Sequence, residues 1–189
     1  MKHALVVGGT GMLSDVSIWL VSMGYHTSVI CRNYTKMDKL IKRSIDRNAI
    51  TPLFVDYTNK EELEQKLLFT TIKNGEIGLI VAWIHPYAKS TLKHILRVIK
   101  NDNIKVFHIL NSRSDLKQTK SYLSIPEYYL YRQIQLGFIV EGDYSRWLTH
   151  EEIAKGILES IQNDIEEQII GVVHPWEKRP QRFSYFQKK

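Results

Sequence analysis

Short apolar runs alternate with longer amphipathic stretches along this chain. Residues 3–7 (HALVV) form the first run. Gly8-Gly9-Thr10-Gly11 follows at once, and then an apolar, glycine-poor stretch over 12–23 predicts a helix. Gly24-Tyr25 makes the next turn, and 27–31 (TSVIC) reads as a second strand. A helix is predicted over 36–48, with Met37, Leu40, Ile41 and Ile45 on its apolar side. Residues 50–55 make a third strand, and Pro52 near its start suits an edge position. Thr58, with Glu61 three residues on, predicts a capping box for a helix over 60–73. Residues 78–84 (GLIVAWI) are continuously apolar, as in a strand covered on both faces. Pro86 opens a further helix running through Leu92, Ile95, Leu96 and Ile99, and 105–110 is a fifth strand. A helix crowded with tyrosines is expected over 121–135, and 137–141 (GFIVE) is a sixth strand. Thr149 with Glu152 caps a last helix bearing Ile153, Ile157, Leu158 and Ile161, and 169–173 (IIGVV) is a seventh strand.

Strands separated by single helices imply right-handed crossovers and hence parallel pairing. The expectation is an α/β fold: one doubly wound parallel sheet of about seven strands, in one domain over residues 1–175. Residues 176–189 form a basic tail, expected to be loosely ordered. The length, 189 residues, suits a single core, and 43% hydrophobic with 24% charged residues is ordinary for a globular chain.

Charge and composition narrow the picture a little. The net charge of +6 is spread along the chain without a dense basic tract, so no nucleic-acid partner is read. The excess suits an anionic ligand such as a phosphorylated nucleotide, or simply a solvated face. No apolar run approaches the ~20 residues of a membrane span, and the first residues enter a strand without the pattern of a signal peptide. The single cysteine, Cys31, excludes an intramolecular disulfide and suits a reducing, cytoplasmic setting. The seven histidines show no ligand spacing with one another or with Cys, Asp or Glu, so no metal is expected.

The candidate chemistry sits in the first fifteen residues. A buried strand, a glycine turn and a helix make the entry to a dinucleotide-binding unit. Residues without a Cβ let the backbone approach a pyrophosphate, and the free N–H groups and positive dipole end of the helix face it. Gly8, Gly9, Thr10 and Gly11 are the expected phosphate loop, with Met12 and Leu13 opening the helix. Ser14 stands where a third glycine of the fingerprint would fall. A strand-to-helix turn without a ligand has the same pattern.

The opening VVGGTGML and the order of the later stations resemble the short-chain dehydrogenase/reductase superfamily, in a short and divergent form with a Rossmann-like three-layer sandwich. That resemblance implies NADP as cofactor, with NAD as the other choice: Arg32 and Asn33 close the second strand where an arginine pairs with a 2′-phosphate, and no acid stands beside them. It implies that Asp56 bonds the adenine amino group, that Tyr57 lies along the ring, and that Ala82 and Trp83, ending the fourth strand, flank the cofactor. The family's catalytic serine maps onto Ser112 or Ser114. Its Tyr-x-x-x-Lys maps onto Tyr128 and Arg132, with arginine in place of lysine. The implied activity is hydride transfer between the nicotinamide and a small carbonyl or alcohol, by a homodimer or tetramer. The missing lysine and the shortness of the chain instead suit a catalytically inactive regulatory or redox-sensing binder of NAD(P). A flavodoxin-like domain with another ligand has the same strand pattern.

Overall fold

The computed structural model describes residues 2–99, 101, 103–126 and 128–180. The chain runs β1 (Lys2–Val7), α1 (Ser14–Ser22), β2 (Tyr25–Cys31), α2 (Tyr34–Arg43), β3 (Ile50–Phe54), α3 (Lys60–Asn74), β4 (Ile77–Trp83), α4 (Ser90–Val98), β5 (Lys105–Leu110), α5 (Leu116–Leu123), β6 (Leu130–Leu136), β7 (Phe138–Glu141), β8 (Tyr144–Trp147), α6 (His150–Asn163) and β9 (Glu167–Ile170). Seven strands form one sheet in the order β3-β2-β1-β4-β5-β6-β9, every pair parallel, as the alternation predicts. Pro52 lies on the β3 edge strand, where a missing ladder donor is tolerated.

Alternation along the strands sorts the side chains into two cores. Ala4 and Val6 of β1 face α1, α2 and α6, through Val16, Leu20, Met37, Leu40 and Ile157. Leu5 and Val7 face α3, α4 and α5, through Leu63, Leu67, Leu92, Ile95 and Leu123. Helices on both faces explain why the strands read as continuous apolar runs.

Three expectations are corrected. The stretch 121–135 is not one helix: α5 stops at Leu123, Ser124 turns left-handed (φ 49), and β6 begins at Leu130. Pro126 cannot continue a helix, so Tyr122 stays on α5 while Tyr128 and Tyr129 fall on a turn and Tyr131 on a strand. Residues 137–141 leave the parallel sheet as well. Phe138–Glu141 pairs antiparallel with Tyr144–Trp147 across a two-residue turn with Gly142 at φ 63. The exit needs two glycines. A Cβ on Gly137 would strike the Val172 carbonyl, and one on Gly171 (φ 76) would lie 2.6 Å from the Phe138 carbonyl oxygen. Third, α3 is capped by Asn59, whose side chain accepts from the Glu62 amide at 3.3 Å, while the Thr58 hydroxyl donates to Asp56 at 2.7 Å. Elsewhere the differences are in bounds: α2 ends by Arg43, Pro86 opens a short 3-10 turn before α4, and the last strand is Glu167–Ile170.

The capping box at α6 forms as expected. The Glu152 amide donates to Thr149 Oγ1 at 3.2 Å and the Thr149 amide to Glu152 Oε2 at 2.8 Å. Residues 176–180 pack rather than trail: Trp176–Lys178 make a 3-10 turn, and Lys178 Nζ donates to the Gly142 carbonyl at 3.2 Å. Residues 181–189 of the expected tail lie outside the described residues. No described helix is long and apolar enough to cross a membrane.

Candidate functional site

Strand order reverses between β1 and β4, so the loops leaving these two strands diverge and open a crevice at the C-terminal edge of the sheet. The glycine turn fills one side of it. Gly8 takes φ 86, which a side chain would strain, and a Cβ there would lie 3.3 Å from the Trp83 carbonyl oxygen on β4. Gly9 is buried, and its Cβ would lie 2.6–2.9 Å from Ser17 Oγ, Val29 and Val6. Glycine there lets the turn lie flat on the sheet. Ser17 ties the first turns of α1 to the glycine turn, its hydroxyl donating to the carbonyls of Gly9 (3.2 Å) and Leu13 (3.0 Å). Gly11 is different: its amide donates to the Gly8 carbonyl at 3.2 Å, and nothing approaches its Cβ position closer than 3.9 Å. It faces open space.

Beyond Gly11 the chain enters α1 with Leu13 at the N-cap and no side-chain cap. The dipole end of α1 therefore points at the turn without a side-chain oxygen of its own at the cap. Leu13 is fully buried in the core, so only its backbone can meet a ligand, while Thr10 and Met12 are half-buried. Asp15, the acid in the first turn, is held by Arg43 at 2.6 Å.

At the ends of β2 and β3, the exposed Arg32 pairs with the half-buried Asp56 at 3.1 Å. Asp56 also accepts from the Thr58 amide and hydroxyl, and these bonds, with Arg32, hold its carboxyl below the usual carboxylate range. Asn33 serves as the N-cap of α2, accepting from the Lys36 amide at 2.9 Å. Tyr57 is half-buried, and burial together with its bond to Tyr87 pushes its phenol up. Ala82 is fully buried, so of the pair ending β4 only Trp83 reaches the crevice.

Further along the edge lie two cavities. One of about 490 Å³ is bounded by Trp83, His85, Ser112, Arg113, Trp147 and Arg179, with Leu136, Leu148 and Ile153 forming an apolar wall. The other, about 560 Å³, shares His85 and Arg113 and adds Ser114 and His108. The β5–α5 loop that carries both serines is pinned from beneath. Gln135 Nε2 donates to the carbonyls of Ser114 (2.8 Å) and Asn111 (3.3 Å), and Gln133 Nε2 to Leu116 (3.1 Å).

No family model matches the sequence, and no curated protein does either. Solved structures do resemble it in shape. An apo SCOR enzyme from Clostridium thermocellum aligns over 100% of this chain and 99% of its own, at 15% identity and a TM-score of 0.68. An alcohol dehydrogenase from the archaeon Thermococcus sibiricus, complexed with 5-hydroxy-NADP, aligns over 96% and 99%, at 13% identity and 0.68. A metagenomic short-chain oxidoreductase in complex with NADP aligns over 90% and 96%, at 10% identity and 0.64. The chain has the short-chain dehydrogenase/reductase fold.

Within that fold the expected Tyr-x-x-x-Arg pair does not reach the crevice. Tyr128 lies in the turn before β6, 56% exposed, at the N-terminal edge of the sheet. It borders a separate cavity of about 630 Å³ with Lys93, Arg97 and Tyr129. Arg132 lies near the start of β6 and grips Asp164 at the end of α6 with two bonds, at 3.1 and 3.2 Å. Lys105 joins the same carboxylate at 3.0 Å. Strand β6 separates both residues from the serines by the height of the sheet. Arg113, Trp147 and Arg179 are crevice residues that the sequence pattern does not single out. His85, one residue past an apolar strand end, is offered by the sequence together with Trp83 for the nicotinamide side of the cleft, and it does line the crevice. Arg179 comes from the expected tail, and only folding brings it to β4 and β5.

Proposed function

We propose that this chain binds NADP across the crevice and acts as an oxidoreductase on a small carbonyl or alcohol. One observation carries the reading: the glycine turn at the switch point sits flat on the sheet through Gly8 and Gly9, while Gly11 and an α1 terminus without a side-chain cap face open space. That arrangement fits a diphosphate. The backbone of Gly8 to Leu13 would hold it. Arg32 would exchange Asp56 for the 2′-phosphate, with Asn33 beside it on the α2 cap. Asp56 and Tyr57 would take the adenine, and Trp83 would flank the nicotinamide. NADPH, when bound, would supply the hydride that a carbonyl carbon accepts. Ser112 or Ser114 steadies the carbonyl oxygen and the His85 imidazole delivers the proton, because these groups border the crevice beside Trp83.

A second reading, NAD(P) binding without turnover in a regulatory or redox-sensing role, draws support from the removal of Tyr128 and Arg132 from the crevice. NADPH oxidation across a panel of ketones and aldehydes separates the two. The enzyme reading predicts oxidation that falls about 100-fold or more in His85→Ala and is unchanged in Tyr128→Phe. Tight binding with no oxidation by any carbonyl gives the second reading.

A further inference from the structure

His108 forms the floor of the 560 Å³ cavity between the β4–α4 turn and α5. It is 7% exposed, and its Nδ1 lies 2.8 Å from the Tyr131 hydroxyl. Burial pushes the Tyr131 phenol up, so the hydroxyl keeps its proton. Gln133 also bonds that hydroxyl, yet its Oε1 accepts from no described group. The phenol proton therefore goes to His108 Nδ1. The imidazole, kept neutral by burial, carries its own proton on Nε2. Among the described residues Nε2 has no hydrogen-bond partner, and it is not sealed off from the cavity. The floor thus presents one uncharged, unpaired donor.

The rim is cationic. Lys89 Nζ stands 4.7 Å from the Tyr122 ring centre, and Arg113 rises from the β5–α5 loop; both are exposed and border the cavity. Other lysines of this region are matched, Lys105 by Asp164 and Lys120 by Glu166. Lys89 and Arg113 have no ion pair among the described residues, and no described acidic side chain lines the cavity. Asp115, two residues from Arg113, is turned to the α5 cap, where it accepts from the Gln118 amide at 2.8 Å. Ile84, Ile109 and Leu123 supply apolar wall. A neutral donor at the floor suits an uncharged acceptor, since a charge there would be buried without a counter-charge; an anion belongs at the rim.

We propose that this cavity binds a small two-ended ligand: a carboxylate held at the rim by Lys89 and Arg113, joined by a short apolar body to a neutral oxygen that accepts a hydrogen bond from His108 Nε2. The cavity shares His85 and Ser114 with the proposed reaction centre, so the ligand lies beside it, but its binding does not rest on hydride transfer.

The test is a calorimetric titration of the full chain with 4-acetamidobutanoate, which has both ends and no reducible ketone or aldehyde. Its methyl ester lacks the anion, and hexanoate lacks the acceptor. The acid should bind saturably, with and without NADP, and each control about tenfold more weakly or worse. Lys89→Gln and Arg113→Gln, both at exposed positions, should each weaken the acid about tenfold and leave the ester alone. The imidazole nitrogen resonances of His108 should shift with the acid and with the ester at saturation, and not with hexanoate. Equal binding of acid and ester, an unaltered affinity in Lys89→Gln, an unmoved His108 resonance, or displacement of the acid by NADP would each overturn the assignment. NADPH oxidation is read separately, so its failure leaves the binding result standing.

Discussion

At the scale of the residue, the proposed choice of NADP over NAD rests on one side chain. Arg32 is exposed and pairs with the Asp56 carboxylate, so the pair is worth little and is easily exchanged for a stronger anion. Arg32→Gln should weaken NADP binding about tenfold and leave NAD binding within about twofold, measured by calorimetry. An unchanged preference for NADP would take Arg32 out of the site. The same scale shows what the sequence conceals. The turn glycines were legible because Gly8 and Gly9 perform backbone roles that no other residue fills. Arg132 was misleading because a basic residue four positions after a tyrosine looks the same on a helix and on a strand. Its bonds to Asp164 show a strut between β6 and α6.

Secondary-structure elements were legible where burial is symmetric and obscure where polar groups are buried for a reason. Strand β4 announces itself as seven residues of which only Gly78 and Trp83 are not fully buried. Strand β6 is also buried, continuously from Gln133 to Leu136, but Gln133 and Gln135 take two of those positions, so it reads as polar and helical. Those glutamines are buried because their amides support the serine loop from below. Pro126 was the available signal against a continuous helix. The exit of β7 from the sheet rests on Gly137, where the hairpin crosses Val172 with bonds of 2.9 and 2.8 Å between Phe138 and Val172. Gly137→Ala should lower stability by about 2 kcal/mol or more, since the obstructing atoms are all backbone of Val172 and cannot swing aside as a side chain would. An unchanged urea midpoint would mean that the crossing is looser than described.

Across the whole molecule, buried histidines tie the sheet to its helices and set an acid limit on stability. Asn74 donates to Thr70 at 2.8 Å, and Thr70 lies 2.7 Å from Ser28. Ser28 lies 2.8 Å from His3 Nε2, and His3 Nδ1 donates to the Gly75 carbonyl at 2.7 Å. The carbonyl can only accept, so neutral His3 carries its proton on Nδ1 and accepts from Ser28. Protonation would put a charged ring into that buried network. Burial lowers His3 and His26, and it lowers the enclosed His108, bonded to Tyr131 at 2.8 Å, to about 4. Each of these groups is neutral when folded and takes up a proton more readily when unfolded. Their contribution is therefore whole above pH 6.5 and is lost progressively as pH falls toward 4. For His108 alone the loss at pH 5 is about 2 kcal/mol. Urea midpoints should fall between pH 7.5 and 5, before the carboxylates held low at Asp56, Asp164 and Glu152 begin to titrate. A flat profile over that window would contradict the protonation states described.

The central claim is that the backbone cup between β1 and α1 holds a diphosphate. It is tested most directly by calorimetric titration of NADP into the wild-type chain and into Gly11→Asp. Open space surrounds the Gly11 Cβ position and its φ is not in the left-handed region, so the variant should fold with an unaltered melting temperature. Its carboxylate would meet the phosphates and weaken binding about 100-fold. Saturable wild-type binding, abolished in the folded variant, is the predicted result. Binding of neither NADP(H) nor NAD(H) at millimolar concentration, or equal binding by the variant, would contradict it.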